Sequence, residues 1–148
     1  MPDRTAQGYA GDVSPNEAWS MLAANPKAQL VDVRTNPEWT FVGVPDLSSL
    51  GRKAHFIQWQ VYPSMAVDPQ FTAATVAILD DAAAEPDTPV FFICRSGARS
   101  RNAAIAMTNV GYLHAYNVAG GFEGDLDQEG HRGNEGGWKA SGLPWRQT

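Results

Sequence analysis

Short, mostly apolar runs in this chain alternate with longer stretches in which apolar residues recur every three or four positions. Three runs have the first pattern: 29–33 (QLVDV), 89–93 (PVFFI) and 115–118 (AYNV). Because a strand that is buried on both faces is apolar almost throughout, we predict that each run is a strand of a parallel sheet. A fourth run, 54–57 (AHFI), predicts another short strand.

Helix signals first occur near the amino terminus. Ser14 is a candidate N-cap, because Pro15 follows it at the first helical position. Glu17 stands three residues after the cap, where its side chain can accept a hydrogen bond from the cap amide. We therefore expect a helix that begins after Ser14 and ends at about Ala24.

Two further helices are predicted between the later strands. Asp68-Pro69 can cap the first, and Glu85-Pro86 ends it. Its apolar residues with helical spacing are Phe71, Ala74, Ile78, Leu79 and Ala82. The second is the alanine-rich stretch 99–110, with Gly111 as its left-handed cap.

Alternating strands and helices favour right-handed crossovers and a mainly parallel sheet covered by helices, so the predicted fold class is α/β with three layers. The 148 residues fit one domain over 1–148, with a core at about 13–125. Residues 126–148 are a glycine-rich tail with two tryptophans, Trp138 and Trp145, which either docks on the core or remains flexible.

Composition excludes several function classes. A net charge of −5 and a pI near 5.0 disfavour non-specific binding to nucleic acid or to an anionic membrane. A single cysteine, Cys94, excludes an internal disulfide and any site with several thiolates. The three histidines lack metal-ligand spacing, so we expect neither a metal nor another cofactor. Without a signal sequence or a membrane-spanning apolar run, a cytoplasmic location is expected.

The lone cysteine begins the segment CRSGARS, between a predicted strand and a predicted helix. The segment consists of Cys94, Arg95, Ser96, Gly97, Ala98, Arg99 and Ser100. Ligands of parallel sheets bind beyond the carboxyl ends of the strands, where this loop must lie. Successive amides and a helix N-terminus form an anion cradle, and they also favour a thiolate over a thiol. The sequence therefore predicts that Cys94 is a reactive nucleophile.

Charge around the cysteine is opposite in sign to that of the whole chain. Between Asp87 and Glu123 there is no acidic residue, whereas Arg95, Arg99 and Arg101 all lie there. Such a local field attracts an anionic substrate and favours an anionic nucleophile. We expect a small anionic sulfur or oxygen compound as the substrate.

The segment 94–100, preceded by VFFI and followed by an alanine-rich helix, resembles the active-site loop of the rhodanese-like sulfurtransferases. Residues 30–34 (LVDVR) resemble the early D-x-R strand end of that family, and Glu38-Trp39 resembles its acidic–aromatic pair. Residues 120–122 (GGF) resemble its closing element. On these matches the chain is identified as a single-domain member. The loop 43–48 departs from the family pattern, because it lacks a histidine and a second glycine.

This resemblance implies a sheet of about five strands and a reaction in two steps. Cys94 would take a sulfane sulfur from an anionic donor such as thiosulfate and pass it, as a persulfide, to cyanide or a thiol. The amides from Arg95 to Arg99 and the hydroxyls of Ser96 and Ser100 would hold the persulfide. Arg95 and Arg99 would bind the donor.

Two other functions fit the same segment. A cysteine phosphatase or an arsenate reductase also uses a cysteine and an arginine, but usually with five residues between them, whereas four separate Cys94 from Arg99. No Asp or His adjoins the loop as a general acid. The other alternative is a non-catalytic sensor, or a relay module whose Cys94 a desulfurase loads and an acceptor protein unloads.

Asp32 and Arg34, at the end of the first predicted buried strand, are interpreted as possible support for the site. Their opposite charges favour an ion pair or hydrogen bonds that organise the loop, rather than catalysis. Arg34 is long enough to reach the rim of the pocket.

Overall fold

Five parallel strands form the central sheet of the computed structural model, which describes residues 8–147. From one edge to the other, they are β1 (Gly11–Val13), β8 (Ala115–Val118), β7 (Val90–Ile93), β2 (Gln29–Asp32) and β4 (His55–Phe56). Helices cover both faces, so the predicted three-layer α/β class is confirmed. Strand β1 was not predicted, because three residues are too few to display a hydrophobic period.

Five helices and four short strands complete the described chain. The helices are α1 (Pro15–Ala24), α2 (Asn36–Phe41), α3 (Phe71–Asp81), α4 (Ala98–Asn109) and α5 (Gly137–Ala140). A 3-10 turn covers Ser48–Leu50, and the remaining strands are β3 (Val44–Pro45), β5 (Gln60–Val61), β6 (Ala66–Val67) and β9 (Trp145–Arg146). Strands β5 and β6 form an antiparallel hairpin.

Helix α1 begins with the predicted capping box. The Ser14 side chain accepts a hydrogen bond from the Glu17 amide at 3.1 Å, and the Glu17 carboxylate accepts one from the Ser14 amide at 2.9 Å. Pro15 occupies the first helical position, where its missing N–H costs no intrahelical bond. The helix ends at Ala24, as the sequence predicted.

Helix α3 starts later than the sequence predicted. The Asp68 carboxylate accepts a hydrogen bond from the Gln70 amide at 2.8 Å, so Asp68 forms a turn before the helix and Gln70 is the N-cap. The predicted core position Ala74 is exposed, and Thr75 is buried instead. Burial of Thr75 is possible because its hydroxyl donates to the Phe71 carbonyl oxygen at 2.7 Å.

Alternation along β7 divides the core into two clusters. Val90 and Phe92 pack on one face of the sheet, with Cys94 next in that series, while Phe91 and Ile93 pack on the other. Helices α3 and α4 cover the first face, and helix α1 covers the second. The cysteine therefore lies on the α4 side, at the carboxyl end of the central strand.

The carboxyl-terminal tail docks on the sheet. Trp138 is fully buried beside α1, where its ring meets that of Trp19 edge-on at 5.8 Å between centroids. Its Nε1 donates to the carbonyl oxygen of Pro144 at 2.7 Å. Trp145 lies in β9, which pairs antiparallel with β3. Of the two arrangements that the sequence left open for the tail, the structure has the docked one.

Within residues 8–147, no helix combines the length and the apolar character that crossing a bilayer requires.

Candidate active site

Cys94 follows the last residue of β7 and is almost completely buried, with 1% of its surface exposed. Its Sγ accepts a hydrogen bond from the Gly97 amide at 3.1 Å. The hydroxyl oxygen of Ser100, on the first turn of α4, also lies 3.1 Å from Sγ. The structure thus brings the sulfur, one loop amide and one hydroxyl into a compact group.

Gly97 gives the loop its curvature. Its φ of +120° lies in the left-handed region, which residues with a Cβ rarely adopt, and it is also the N-cap of α4. The amide that points at Sγ is therefore the one at the start of the helix. An amide and a helix N-terminus both stabilise negative charge on a nearby atom.

A second glycine, Gly121 in the segment after β8, allows the backbone there to lie close against the cysteine loop. A Cβ on Gly121 would clash with the carbonyl oxygen of Cys94 and would lie 2.6 Å from the carbonyl carbon of Arg95. The neighbouring Phe122 amide donates to the Cys94 carbonyl oxygen at 2.8 Å, and the Glu123 amide donates to that of Arg95 at 3.0 Å. These contacts hold the start of the cysteine loop against the segment that follows β8.

Cys94 lines a cavity of about 330 Å³, which is the size of a small ligand site. Residues from three parts of the chain line it: Cys94, Arg95, Ser96, Ala98 and Arg99 from the loop, Glu38 from α2, and Gln60 and Met65 from the β5–β6 hairpin. A larger cleft of about 670 Å³ lies elsewhere, around residues 45–56 and Arg146, and does not include the cysteine. The smaller cavity is the one with nucleophilic chemistry.

Arg99 is held by Glu38. Its two terminal nitrogens donate to the two carboxylate oxygens at 2.7 and 3.0 Å. Burial by itself raises the pKa of Glu38, but the hydrogen bonds and charge of Arg99 hold it below its ordinary value. For Arg99, burial alone would lower the pKa, because it also disfavours the charged form. The hydrogen bonds and the charge of Glu38 outweigh burial, so the pKa of Arg99 is raised overall. The two side chains are therefore both charged at neutral pH.

Arg95, in contrast, is exposed at the mouth of the cavity. Only two ion pairs form among residues 8–147, Arg34 with Asp32 and Arg99 with Glu38, and Arg95 belongs to neither. Its guanidinium is therefore free to meet an incoming anion.

The family model described as the STR4 middle domain matches residues 10–148. The chain belongs to this family. Rv0390 from M. tuberculosis has a similar crystal structure, with a TM-score of 0.82 and 53% sequence identity, over 95% of this chain and 99% of that one.

Two sequence relatives match most of the chain. RC0915 of Rickettsia conorii, an uncharacterized protein, is 37% identical over 91% of this chain and 96% of its own length. A protein of Actinobacillus pleuropneumoniae named thiosulfate sulfurtransferase GlpE is 26% identical over 90% of each chain. The resemblance to rhodanese-like sulfurtransferases, inferred from CRSGARS and its companion motifs, is thereby confirmed.

In this rhodanese-like domain, Asp32 and Arg34 lie below the site rather than in it. They form a fully buried ion pair at 2.7 Å, and Arg34 also donates to the Gly43 carbonyl oxygen at 2.8 Å. The Arg34 guanidinium carbon lies 4.3 Å from the centre of the Phe122 ring. The predicted ion pair is therefore present, whereas Arg34 does not line the cavity, because its guanidinium is held by Asp32 and Gly43.

In this rhodanese-like domain, sequence reasoning missed four residues that belong either to the cavity wall or to the hydrogen-bond network behind Ser100. Gln60 and Met65 line the cavity from a hairpin that was not predicted. Asn117 and Asp12 lie behind Ser100, with Asn117 Oδ1 2.5 Å from Ser100 Oγ. A polar residue near the end of the apolar run 115–118 was a signal for Asn117, whereas nothing in the short hairpin strands indicated Gln60 or Met65.

Proposed function

We propose that this domain is a sulfurtransferase that carries a sulfane sulfur as a persulfide on Cys94. One observation carries the proposal: Cys94, whose sulfur accepts a hydrogen bond from the Gly97 amide, lines a small cavity with the unpaired cation Arg95 at its mouth. This arrangement suits an anionic donor and an anionic sulfur on the enzyme. The relative GlpE is named a thiosulfate sulfurtransferase, and this name supports the same chemistry.

The reaction has two displacements. In the first, the Cys94 thiolate attacks the outer sulfur of thiosulfate; the sulfur–sulfur bond of the donor breaks, sulfite leaves with its electron pair, and a Cys94 persulfide anion remains. In the second, cyanide or a thiolate attacks the terminal sulfur of the persulfide. The acceptor then leaves as thiocyanate or as a new persulfide, and the Cys94 thiolate returns.

Each residue of the loop has a role in this scheme. The Gly97 amide and its neighbours, from Arg95 to Arg99, stabilise the extra sulfur, together with the hydroxyls of Ser96 and Ser100. Arg95 attracts the donor from solution. Arg99, tied to Glu38, holds its charge at a fixed place in the wall of the cavity. Asp32 and Arg34 support the loop from beneath.

Cleavage of a phosphate ester fits the cavity less well. Cleavage of a phosphate ester requires an acid that protonates the leaving group. Among the described residues that line the cavity, Glu38 is the one carboxyl group, and Arg99 holds its pKa below the ordinary value. Glu38 is therefore ionised at neutral pH and has no proton to donate.

Turnover on small molecules is the assay that tests this proposal. Thiosulfate and cyanide are supplied together, and thiocyanate is measured for the wild type and for Cys94→Ser. We expect double-displacement kinetics for the wild type and no enzymatic thiocyanate for the variant. Hydrolysis of p-nitrophenyl phosphate without thiocyanate formation would favour the phosphatase. A single equivalent of sulfur accepted without turnover would favour the relay module.

A further inference from the structure

A chain of hydrogen bonds leads from the buried sulfur to the edge of the sheet. Cys94 Sγ lies 3.1 Å from Ser100 Oγ, which lies 2.5 Å from Asn117 Oδ1. Asn117 Nδ2 donates to Asp12 Oδ1 at 2.9 Å, and the Tyr9 hydroxyl donates to the same oxygen at 2.8 Å. The chain crosses from β7 through α4 and β8 to β1, where Asp12 is exposed.

The number of available protons determines the direction of these bonds. An ionised Asp12 carboxylate can only accept, so the amide nitrogen of Asn117 must face it and the amide oxygen must face Ser100. That oxygen also only accepts, so the single hydroxyl proton of Ser100 points at Asn117. Ser100 then has no proton to donate to the sulfur. The contact between Sγ and Oγ is a hydrogen bond only if Cys94 is a thiol, whose S–H donates to the Ser100 oxygen.

Ionisation of the sulfur requires the opposite direction for the Ser100 hydroxyl proton. A thiolate or persulfide accepts hydrogen bonds, so the Ser100 proton would have to turn towards the sulfur. The oxygens of Ser100 and Asn117 would then face each other at 2.5 Å without a proton between them. Rotating the Asn117 amide would relieve this contact, but it would place the amide oxygen against the carboxylate of Asp12.

We propose that Asp12 and Asn117 are positioning residues: they fix the direction of the Ser100 hydroxyl and so control how readily the Cys94 sulfur becomes anionic. Asp12 touches neither the sulfur nor the cavity, and it acts through two intermediate side chains. The inference concerns the protonation of the sulfur, and its consequence for turnover rests on the proposed function.

Other charged groups surround this network, and their contribution must be separated from that of the hydroxyl. The groups on neighbouring elements are Arg95, Arg99, Glu38, Asp32, Arg34, Tyr9 and Arg101. Burial raises the pKa of Tyr9, and its hydrogen bond to Asp12 raises it further, so the phenol remains a donor throughout the range in which thiols titrate. Removing the charge of Asp12 also favours a thiolate directly, with or without Ser100.

A double-mutant cycle separates the two effects. The rate of alkylation by neutral iodoacetamide is measured against pH for the wild type, Asp12→Asn, Ser100→Ala and the double variant. An asparagine at position 12 can donate or accept, so it lets the Asn117 amide rotate. We expect Asp12→Asn to lower the pH midpoint of alkylation by about half a unit or more when Ser100 is present, and by clearly less in the Ser100→Ala background, where only the direct charge effect remains.

Two further variants complete the test. Asn117→Ala leaves the charge unchanged and frees the Ser100 proton, so it should lower the midpoint in the same direction. Asp125→Asn makes the same charge change at an exposed position and should leave the midpoint where it is. An equal effect of Asp12→Asn with and without Ser100, or no effect at all, overturns the proposal. Because alkylation requires no sulfur donor, this result does not depend on whether the domain transfers sulfur.

Discussion

Glu38 and Arg99 form a two-point ion pair that joins the short helix α2 to the first turn of α4, with contacts of 2.7 and 3.0 Å. Glu38 also accepts hydrogen bonds from the Thr35 amide and hydroxyl. A single carboxylate therefore caps its own helix and neutralises the arginine of the cysteine loop. Arg95 is left as the loop cation that is free to receive a donor.

Stability at acidic pH should reveal this ion pair. The pKa of Glu38 is held below its ordinary value of 4.5, so the stabilisation by Glu38 is complete above that pH and is lost as the pH falls through the lower value of the folded state. At neutral pH we expect the free energy of unfolding of Glu38→Gln to be about 1 kcal/mol lower than that of the wild type. In urea titrations this difference in unfolding free energy should shrink as the pH falls below 4.5 and through the lower pKa of the folded state.

The matched control for this experiment is Glu85→Gln, because Glu85 is exposed and belongs to no ion pair among the described residues. A gap between wild type and Glu38→Gln that stays constant over the whole pH range would show that the stabilisation does not depend on the charge of Glu38.

Arg95→Ala should weaken the binding of an anionic donor without disturbing the loop. Its side chain is exposed and unpaired, so the substitution removes charge from the mouth of the cavity and little packing. We expect KM for thiosulfate to rise about fivefold at low ionic strength, with less difference in high salt and little change in kcat. Lys27→Ala, the loss of an exposed positive charge outside the cavity lining, should leave KM unchanged. The same increase in both variants would mean that Arg95 has no specific role.

Gly121→Ala should lower the free energy of unfolding more than the same change at another left-handed glycine. Gly51 has a φ of +70° and no atom within 4 Å of a new Cβ, whereas Gly121 has a φ of +62° and a Cβ there would meet the backbone of Cys94 and Arg95. We expect a loss of about 1 kcal/mol for Gly51→Ala and of at least about 3 kcal/mol for Gly121→Ala, in denaturant unfolding. Sulfur transfer should fall only in Gly121→Ala. Equal losses for the two variants would contradict the close approach described for the loop.

The docked tail predicts unequal roles for its two tryptophans. Trp138 is fully buried, so Trp138→Ala should lower the free energy of unfolding by about 3–5 kcal/mol. Trp145 is 39% exposed, and its removal should cost less than about 2 kcal/mol. Should Trp138→Ala fail to fold, Trp138→Phe gives the same comparison. Equal effects of the two alanine substitutions on the free energy of unfolding would mean that Trp138 contributes no more to the core than the partly exposed Trp145 does.

The sequence predicted four of the five sheet strands, the main helices and the cysteine loop, because each of these has a local signal. The capping box of α1 and the apolar run of β7 are complete within a few residues. The start of α3 was misplaced, because the Asp68 side chain can serve either as a helix cap or as part of a turn. Burial of Thr75 in place of Ala74 depends on a hydrogen bond to Phe71, which apolar spacing cannot indicate.

The site was predictable only where its residues are neighbours in sequence. Residues 94–100 form one segment, and strand, glycine, arginines and helix all pointed to it. The pairing of Glu38 with Arg99 and the contact of Asn117 with Ser100 join residues that are far apart in the chain. Such contacts depend on the order of strands in the sheet, which no local pattern contains.

The central claim is that Cys94 carries the transferred sulfur, and intact-mass measurement tests it most directly. The protein is incubated with thiosulfate in the absence of an acceptor, separated from the donor, and measured before and after addition of cyanide. We predict a mass increase of one sulfur atom that is absent in Cys94→Ser and is lost on cyanide treatment. No adduct on the folded wild type, or the same adduct on Cys94→Ser, would contradict a persulfide on this cysteine.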